Sequence, residues 1–147
     1  MIELRHFEKK DAEELQKVWY PNKSVFEMEE IISQWNKDTL NGKYSEIFAA
    51  IHNQKIVGWF SLYQHSKNVV SIGPEIFPPF RKNGYGKEAM RLCIEISRKK
   101  GFRIISQQIR IDNLPSIKLH KSLGFETNGY EYINNNGNKV SIWLMPL

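Results

Sequence analysis

A strand that turns directly into a helix through paired glycines leaves few architectures open. Residues 68–77 (NVVSIGPEIF) are rich in β-branched residues, Gly84 and Gly86 follow, and from Tyr85 the apolar residues recur at helical spacing. Over residues 85–100 that spacing sets Tyr85, Ala89, Leu92, Cys93 and Ile96 on one face, with Gly101 as the stop. Such a helix has to fold back over the sheet that feeds it, as layered domains of helices and strands require. The junction has a second property. Glycines at 84 and 86 allow backbone conformations barred to other residues and clear side chains from the path of a ligand. Free amides converge at a helix start, where an anion is favoured by donors and dipole together, and Arg81, Lys82 and Lys87 add charge there. A dinucleotide-binding reading fails, because a third glycine is missing and no acidic residue ends a second strand about twenty residues later. A phosphate-binding P-loop fails for want of the Gly-Lys-Ser/Thr ending. For two glycines alone, a plain strand-to-helix turn is the commoner explanation.

The rest of the chain supplies the other layers. Ile2, Leu4 and His6 alternate in a short strand. Asp11 and Glu14 have the spacing of a capping box before a helix over 11–20, with Pro21 just after it. Ser24 and Glu27 repeat that spacing before a second helix, over 26–40, that stops near Gly42. Residues 45–52 and 55–65 read as strands joined by a hairpin at Asn53-Gln54. Gly73-Pro74 is expected to bend the next strand or interrupt its ladder. A strand at 102–111 and a short helix at 114–123 follow, the helix with Pro115 in its first turn and Gly124 as its stop. Residues 130–146 close the chain as a hairpin around Asn136-Gly137. The order β-α-α-β-β-β-α-β-α-β-β predicts one domain over 1–147, a mixed sheet of about seven strands flanked by about four helices.

Composition narrows the class. With 41% hydrophobic and 25% charged residues, the chain reads as globular and soluble. No stretch approaches the length of a membrane span, and the N-terminal residues lack an apolar core of a signal sequence. The single cysteine, Cys93, rules out an internal disulfide, fits a cytoplasmic protein and reads as a small buried hydrophobe. The histidines are scattered and no metal-ligand cluster is present. Charge is unevenly placed: residues 1–60 hold 8 Lys/Arg against 10 Asp/Glu, and residues 61–147 hold 13 against 6. A basic second half suits an anionic ligand, either nucleic acid or a phosphorylated small molecule.

Two segments together name a family. Residues 76–86, IFPPFRKNGYG, resemble the V-x-P-x-x-R-x-x-G-x-G/A signature of the GNAT superfamily of N-acetyltransferases. Residues 113–125, NLPSIKLHKSLGF, resemble that family's N-x-x-A/S-x-x-x-Y-x-x-x-G-F segment, in the right order and at about the right distance. The resemblance covers the whole chain and implies a GNAT-type fold that binds acetyl-CoA. It implies that main chain around Pro74, Glu75, Ile76 and Phe77 pairs with the pantetheine arm. Arg81, Lys82, Asn83, Gly84, Tyr85, Gly86 and Lys87 would wrap the pyrophosphate, and Asn113 would contact the pantetheine. The implied reaction is direct acetyl transfer to a primary amine of a small molecule or a protein, in a monomer or homodimer. The implied fold also has two parallel strands that splay where the pantetheine enters.

Acyl transfer to an amine needs a base, an oxyanion donor and a route for the departing thiolate's proton. Glu75 is the candidate base, the Ile76 amide the candidate oxyanion donor and His120, standing where the family's tyrosine would fall, the candidate acid. Gln108 stands where some relatives carry a glutamate and cannot act as a base. Trp19, Phe26, Trp35 and Tyr132 are the candidate acceptor-binding residues, and Glu27, Glu29 and Glu30 hint at a cationic acceptor. The missing tyrosine keeps open a cofactor-binding module without catalysis. Nucleic acid is disfavoured, since no aromatic-basic recognition motif is present and a CoA site accounts for the charge.

Overall fold

The computed structural model describes residues 1–147. Its elements are β1 (Glu3–His6), α1 (Asp11–Val18), α2 (Val25–Trp35), β2 (Thr39–Leu40), β3 (Lys43–His52), β4 (Lys55–Ser66), β5 (Val69–Ile76), α3 (Tyr85–Lys99), β6 (Ile104–Arg110), α4 (Leu114–Leu123), β7 (Tyr132–Ile133) and β8 (Lys139–Pro146). The strands form one sheet in the order β1-β3-β4-β5-β6-β8-β7, with the two-residue β2 paired to β3 beside it. That short strand makes eight in place of the seven expected. Every pairing is antiparallel except β5 with β6.

Strand alternation divides the apolar residues between two faces. On one, Phe60, Leu62, Val70, Ile72 and Ile105 pack against Ala89, Met90 and Cys93 of α3, with Ile117 and Leu123 of α4 at the margin. On the other, Ala49, Ile51 and Phe77 pack against Leu15 of α1 and Met28 and Ile32 of α2. Helices α1 and α2 pack over the β3 and β4 part of that second face. The β3–β4 turn has positive φ at both Asn53 (48°) and Gln54 (66°), the twist that suits a two-residue hairpin.

Local details differ from the sequence reading in three places. Helix α1 lacks the capping box expected of Asp11 and Glu14: its N-cap is Lys10, with no side-chain cap. The buried Asp11 carboxylate is engaged elsewhere, by the Arg5 guanidinium at 2.7 and 3.0 Å and the Glu8 N–H at 2.7 Å. Burial alone would raise the Asp11 pKa, but these bonds together hold it below the ordinary carboxylate range. Helix α2 has its Ser24–Glu27 capping box, yet it stops at Trp35 and not near Gly42. Asn36 gives its side-chain amide to the Phe7 carbonyl (2.7 Å), and Thr39 and Leu40 pair with β3 instead of extending the helix. The closing hairpin is shorter in strand and longer in loop than two residues: Asn134 accepts from the N–H groups of Asn136 and Asn138, both at 3.0 Å.

Candidate active site

The site begins where a ladder stops. Strands β5 and β6 pair only at Val69–Ile104 and Val70–Ile105, and beyond that they part. The direction of each main-chain group on β5 follows from one bond. Phe77 N–H donates to the Val57 carbonyl at 2.9 Å, so the groups of alternate residues 75 and 73 face β4. Those of Ile72, Pro74 and Ile76 therefore face the gap. Pro74 still keeps its place opposite Phe60, because its missing N–H lies on the side that has no ladder. The interruption expected of Gly73-Pro74 is thus absent towards β4. Past Ile72, the edge of β5 offers a carbonyl from Pro74 and the N–H of Ile76. The Ile76 carbonyl already accepts from Arg81 Nε at 2.8 Å.

From Ile76 the chain makes a 3-10 turn over Pro78–Phe80 and enters the glycine loop. Asn83 braces that loop, donating from Nδ2 to the carbonyls of Phe80 (3.0 Å) and Arg81 (3.2 Å). Lys82 has φ of 66° and Gly84 of 78°, so the backbone turns left-handed twice just before the helix. Gly84 is the N-cap of α3 and supplies no side chain to cap it. The first helical bond is Glu88 N–H to the Gly84 carbonyl (3.2 Å), which leaves the amides of Tyr85, Gly86 and Lys87 without helical partners. Gly86 has no conformational need to be glycine. A Cβ there would meet only Ile76 Cγ1, at 3.7 Å, an ordinary contact. The fold tolerates a side chain at 86, and the bareness of that amide suits the close approach of a ligand.

Two cavities meet at this cleft. One, of about 370 Å³, lies between the glycine loop and α4, lined by Pro74, Ile76, Arg81, Lys82, Gly84, Tyr85, Gly86 and Asn113 with Glu75 at its edge. Phe60, Phe80, Pro115, Ser116 and Leu119 complete its wall; the helical spacing of 115, 116 and 119 was the available signal for the α4 side. The second, of about 710 Å³, shares Pro74, Asn113 and Ser116, and opens past Ser71, Gln108 and Arg110. Three residues expected at the cofactor line neither cavity. Asn83 and Lys87 sit in the loop and first helical turn, while the Phe77 ring stacks on Trp19 at 4.1 Å in the opposite core.

The acceptor candidates are not gathered. Trp19 sits one layer behind the cleft, 5.9 Å from the Phe80 ring. Trp35 packs on Phe7 at 4.9 Å, and Phe26 borders a separate hollow with Glu29 and Glu30. Glu29 pairs with Lys9 there, away from the cleft. Tyr132 is tied to the larger cavity only through Gln108, which lines it and donates from Nε2 to the Tyr132 hydroxyl at 2.7 Å.

Of the acid–base candidates, Glu75 lies at the cleft and pairs with Arg81 at 3.0 Å. The nearby Tyr20 phenol is pushed up by burial and then by the Glu75 charge. His120 is buried, with Nδ1 2.7 Å from the Ser116 carbonyl and Nε2 3.3 Å from Gln107 Nε2. Burial holds its pKa below the ordinary imidazole value. His120 lines the larger cavity, and its Nδ1, facing the Ser116 carbonyl, is the ring nitrogen placed to carry the hydrogen. Gln107, which the sequence reading passed over, bridges to Ile72 across the gap. Cys93 is fully buried and its thiol is pushed up to about 12 by burial.

Residues 9–125 match the profile of the acetyltransferase (GNAT) family. The chain belongs to that family. It is an N-acetyltransferase by this membership and by its relatives. One of them, from Bacillus subtilis (strain 168), carries the name "Putative [ribosomal protein bS18]-alanine N-acetyltransferase". It is 22% identical over 130 residues, 82% of this chain and 86% of its own length. Among solved structures, the acetyltransferase MccE in complex with acetyl-CoA and AMP aligns over 99% of this chain and 92% of its own, at 22% identity and TM-score 0.78. The ribosomal-protein-alanine N-acetyltransferase of Brucella melitensis aligns over 99% of both chains, at 17% identity and TM-score 0.75. These likenesses bear out the GNAT fold expected from the two motifs.

Proposed function

We propose that this chain transfers an acetyl group directly from acetyl-CoA to a primary amine. The observation that carries the reading is the continuity of the unpaired β5 edge with the free amides at the start of α3. An extended ligand can pair with the Pro74 carbonyl and Ile76 N–H at one end while its anionic end meets Tyr85, Gly86 and Lys87, with Arg81 and Lys82 adjacent. Acetyl-CoA combines those two parts and supplies an activated thioester carbon.

The chain's own residues account for the remaining needs. Ile76 N–H is the one main-chain donor of β5 left for an oxyanion, because Ile72 is engaged and Pro74 has none. An alkylammonium costs roughly 4–5 kcal/mol to neutralise at pH 7, and Glu75 is the carboxylate at the cleft able to take that proton, directly or through water. The departing thiolate takes up a proton of its own readily, since a free thiol has a pKa of about 8.5. Direct transfer is supported by the burial of Cys93, which has no access to the cleft as an acyl-carrying nucleophile. No carboxylate lines the larger cavity, and its Arg110 is paired with Asp112 at 2.8 Å, so a polyamine's second ammonium has no anionic partner there and an acceptor with a single amine is favoured.

One observation favours the rival reading, a cofactor-binding module without turnover: Arg81 holds both Glu75 and the Ile76 carbonyl. Thiol release from acetyl-CoA across amino acids, short peptides, aminoglycosides and polyamines separates the two. Turnover with any amine supports transfer. Acetyl-CoA binding by calorimetry with no thiol release across the panel supports the module.

A further inference from the structure

The β5–β6 ladder ends at Val70 and Ile105, and two residues further along each strand stand Ile72 and Gln107. They do not pair through their main chains. Gln107 instead turns its side-chain amide into the gap: Oε1 accepts from the Ile72 N–H at 2.7 Å and Nε2 donates to the Ile72 carbonyl at 2.9 Å. A primary amide stands where the neighbouring strand's peptide would stand, and its length holds the strands apart. The second hydrogen on Nε2 points to His120 Nε2, 3.3 Å away. That ring nitrogen is free to accept, because Nδ1 meets the Ser116 carbonyl at 2.7 Å, a contact that needs an N–H. Gln107 is 4% exposed and His120 2%, both on the inner wall of the larger cavity. The Phe125 ring closes the imidazole edge-on at 4.9 Å, and burial lowers its pKa with no charged group contributing.

Building on the acetyl-transfer reading, we propose that Gln107, propped by the Nδ1–H tautomer of His120, is the positioning residue that fixes where the β5–β6 cleft begins. It thereby sets the Ile76 amide relative to the reacting carbonyl. His120 acts through Gln107 and delivers no proton to the departing sulfur. The connection runs from α4 to β5 through Ser116, His120, Gln107 and Ile72, so the seating of the helix is passed to the strand that carries the oxyanion donor.

The variants His120→Phe, His120→Gln and Gln107→Leu test this through kcat, KM and the acetyl-CoA Kd. His120→Phe keeps a planar ring, though a larger one, but removes the acceptor, and a misplaced cleft should lower kcat at least about tenfold. Its acetyl-CoA Kd should move little, since the glycine loop holds most of the ligand. His120→Gln offers Gln107 a carbonyl oxygen and no useful acid, and should recover most of the kcat lost in the Phe variant. Equal losses in both are what a proton donor predicts, and they overturn the proposal. Gln107→Leu should match His120→Phe and speed hydrogen exchange at the Ile72 amide; wild-type kcat in that variant also overturns it. Nitrogen-15 NMR of the unaltered protein needs no variant to fold. The neutral Nδ1–H tautomer should persist at His120 between about pH 6 and 8, and an imidazolium or an Nε2–H tautomer there refutes the strut. Neither NMR nor exchange depends on turnover. A wild type that binds acetyl-CoA but releases no thiol sinks the acetyl-transfer reading, while the tautomer and Ile72 protection still decide whether Gln107 and His120 hold the cleft.

Discussion

Gly86→Ala should move stability and cofactor affinity in opposite directions. Gly86 is the second residue of α3, has no positive φ, and a Cβ there would touch only Ile76 Cγ1 at an ordinary 3.7 Å. Alanine is preferred to glycine within helices by up to about 1 kcal/mol, with less at an end. For a chain of this size that is a rise in Tm of at most ~2–4 °C. Binding should weaken at least about tenfold, because a methyl then occupies the space through which an anion reaches the free amide. Gly86→Asp sharpens the contrast. Its carboxylate suits the helix dipole by about 0.3–1 kcal/mol, so the fold should survive. Against a phosphate at about 4 Å, the repulsion is about 4 kcal/mol at the effective dielectric of a protein surface, a loss on the order of a thousandfold. Calorimetry with acetyl-CoA and thermal melts of the same samples are the assay. Unchanged affinity in the Ala variant, or a lowered Tm, would show that the bare side of Gly86 does not face the ligand.

Gly58→Ala tests the opposite kind of glycine: its Cβ would fall 2.0 Å from the Glu75 carbonyl oxygen and 2.9 Å from Ile76 Cα, all rigid backbone. It should cost about 1–3 kcal/mol or more in melts and lower kcat by displacing Ile76, and a stable, fully active variant would refute the close approach of β4 to β5. Acetyl-CoA affinity should fall between low and high ionic strength, because Arg81, Lys82 and Lys87 lie within about one Debye length (~8–10 Å) of the loop's amides; a flat response in calorimetry would mean that they face elsewhere. Asp11→Ala should cost about 1–3 kcal/mol by freeing the Arg5 guanidinium and the Glu8 N–H. Because the folded Asp11 pKa is depressed, its contribution is present above the unfolded value of about 3.9 and is lost as pH falls through the lower folded value, so melts of the variant should lose that acid-side slope.

Much of the fold was readable because it is written locally. Ser24 and Glu27 cap α2 reciprocally, at 3.0 and 3.1 Å, as their spacing indicates. The periodicity of α3 and the stops at Gly101 and Gly124, both with positive φ, also depend on neighbours in the chain. The failures share a different cause. Asp11 has the sequence of a cap, but a cation six residues earlier on β1 competes for its carboxylate and wins by making two hydrogen bonds. The helical pattern after Trp35 gives way because Thr39 and Leu40 find a strand partner in β3, which no local preference records.

The site divides along the same line. The half proposed to bind an anion is a local motif, since the free amides of Tyr85, Gly86 and Lys87 follow from a glycine N-cap without a side chain, and a short stretch of sequence announces it. Its cleft is a negative feature, made by the place where one ladder ends. Strand alternation predicts which side chains face the core, but the direction of main-chain groups depends on the register with β4, which only the assembled sheet fixes. Gln107 shows the cost of that blindness. Flanked by the polar Ser106 and Gln108, and sharing its face with Ile105 and Ile109, it draws less notice in the sequence than His120. In the sheet it satisfies both main-chain groups of Ile72 and removes them from the cleft edge. Pro74 then withholds a donor, and along that edge the Ile76 N–H alone is left. On the proposed reading, the oxyanion position on β5 is chosen by elimination, through a side chain on one neighbour and a proline two residues away. A glutamine and a proline accomplish this without any residue of obvious catalytic type, which is why a search for acids and bases passes over it.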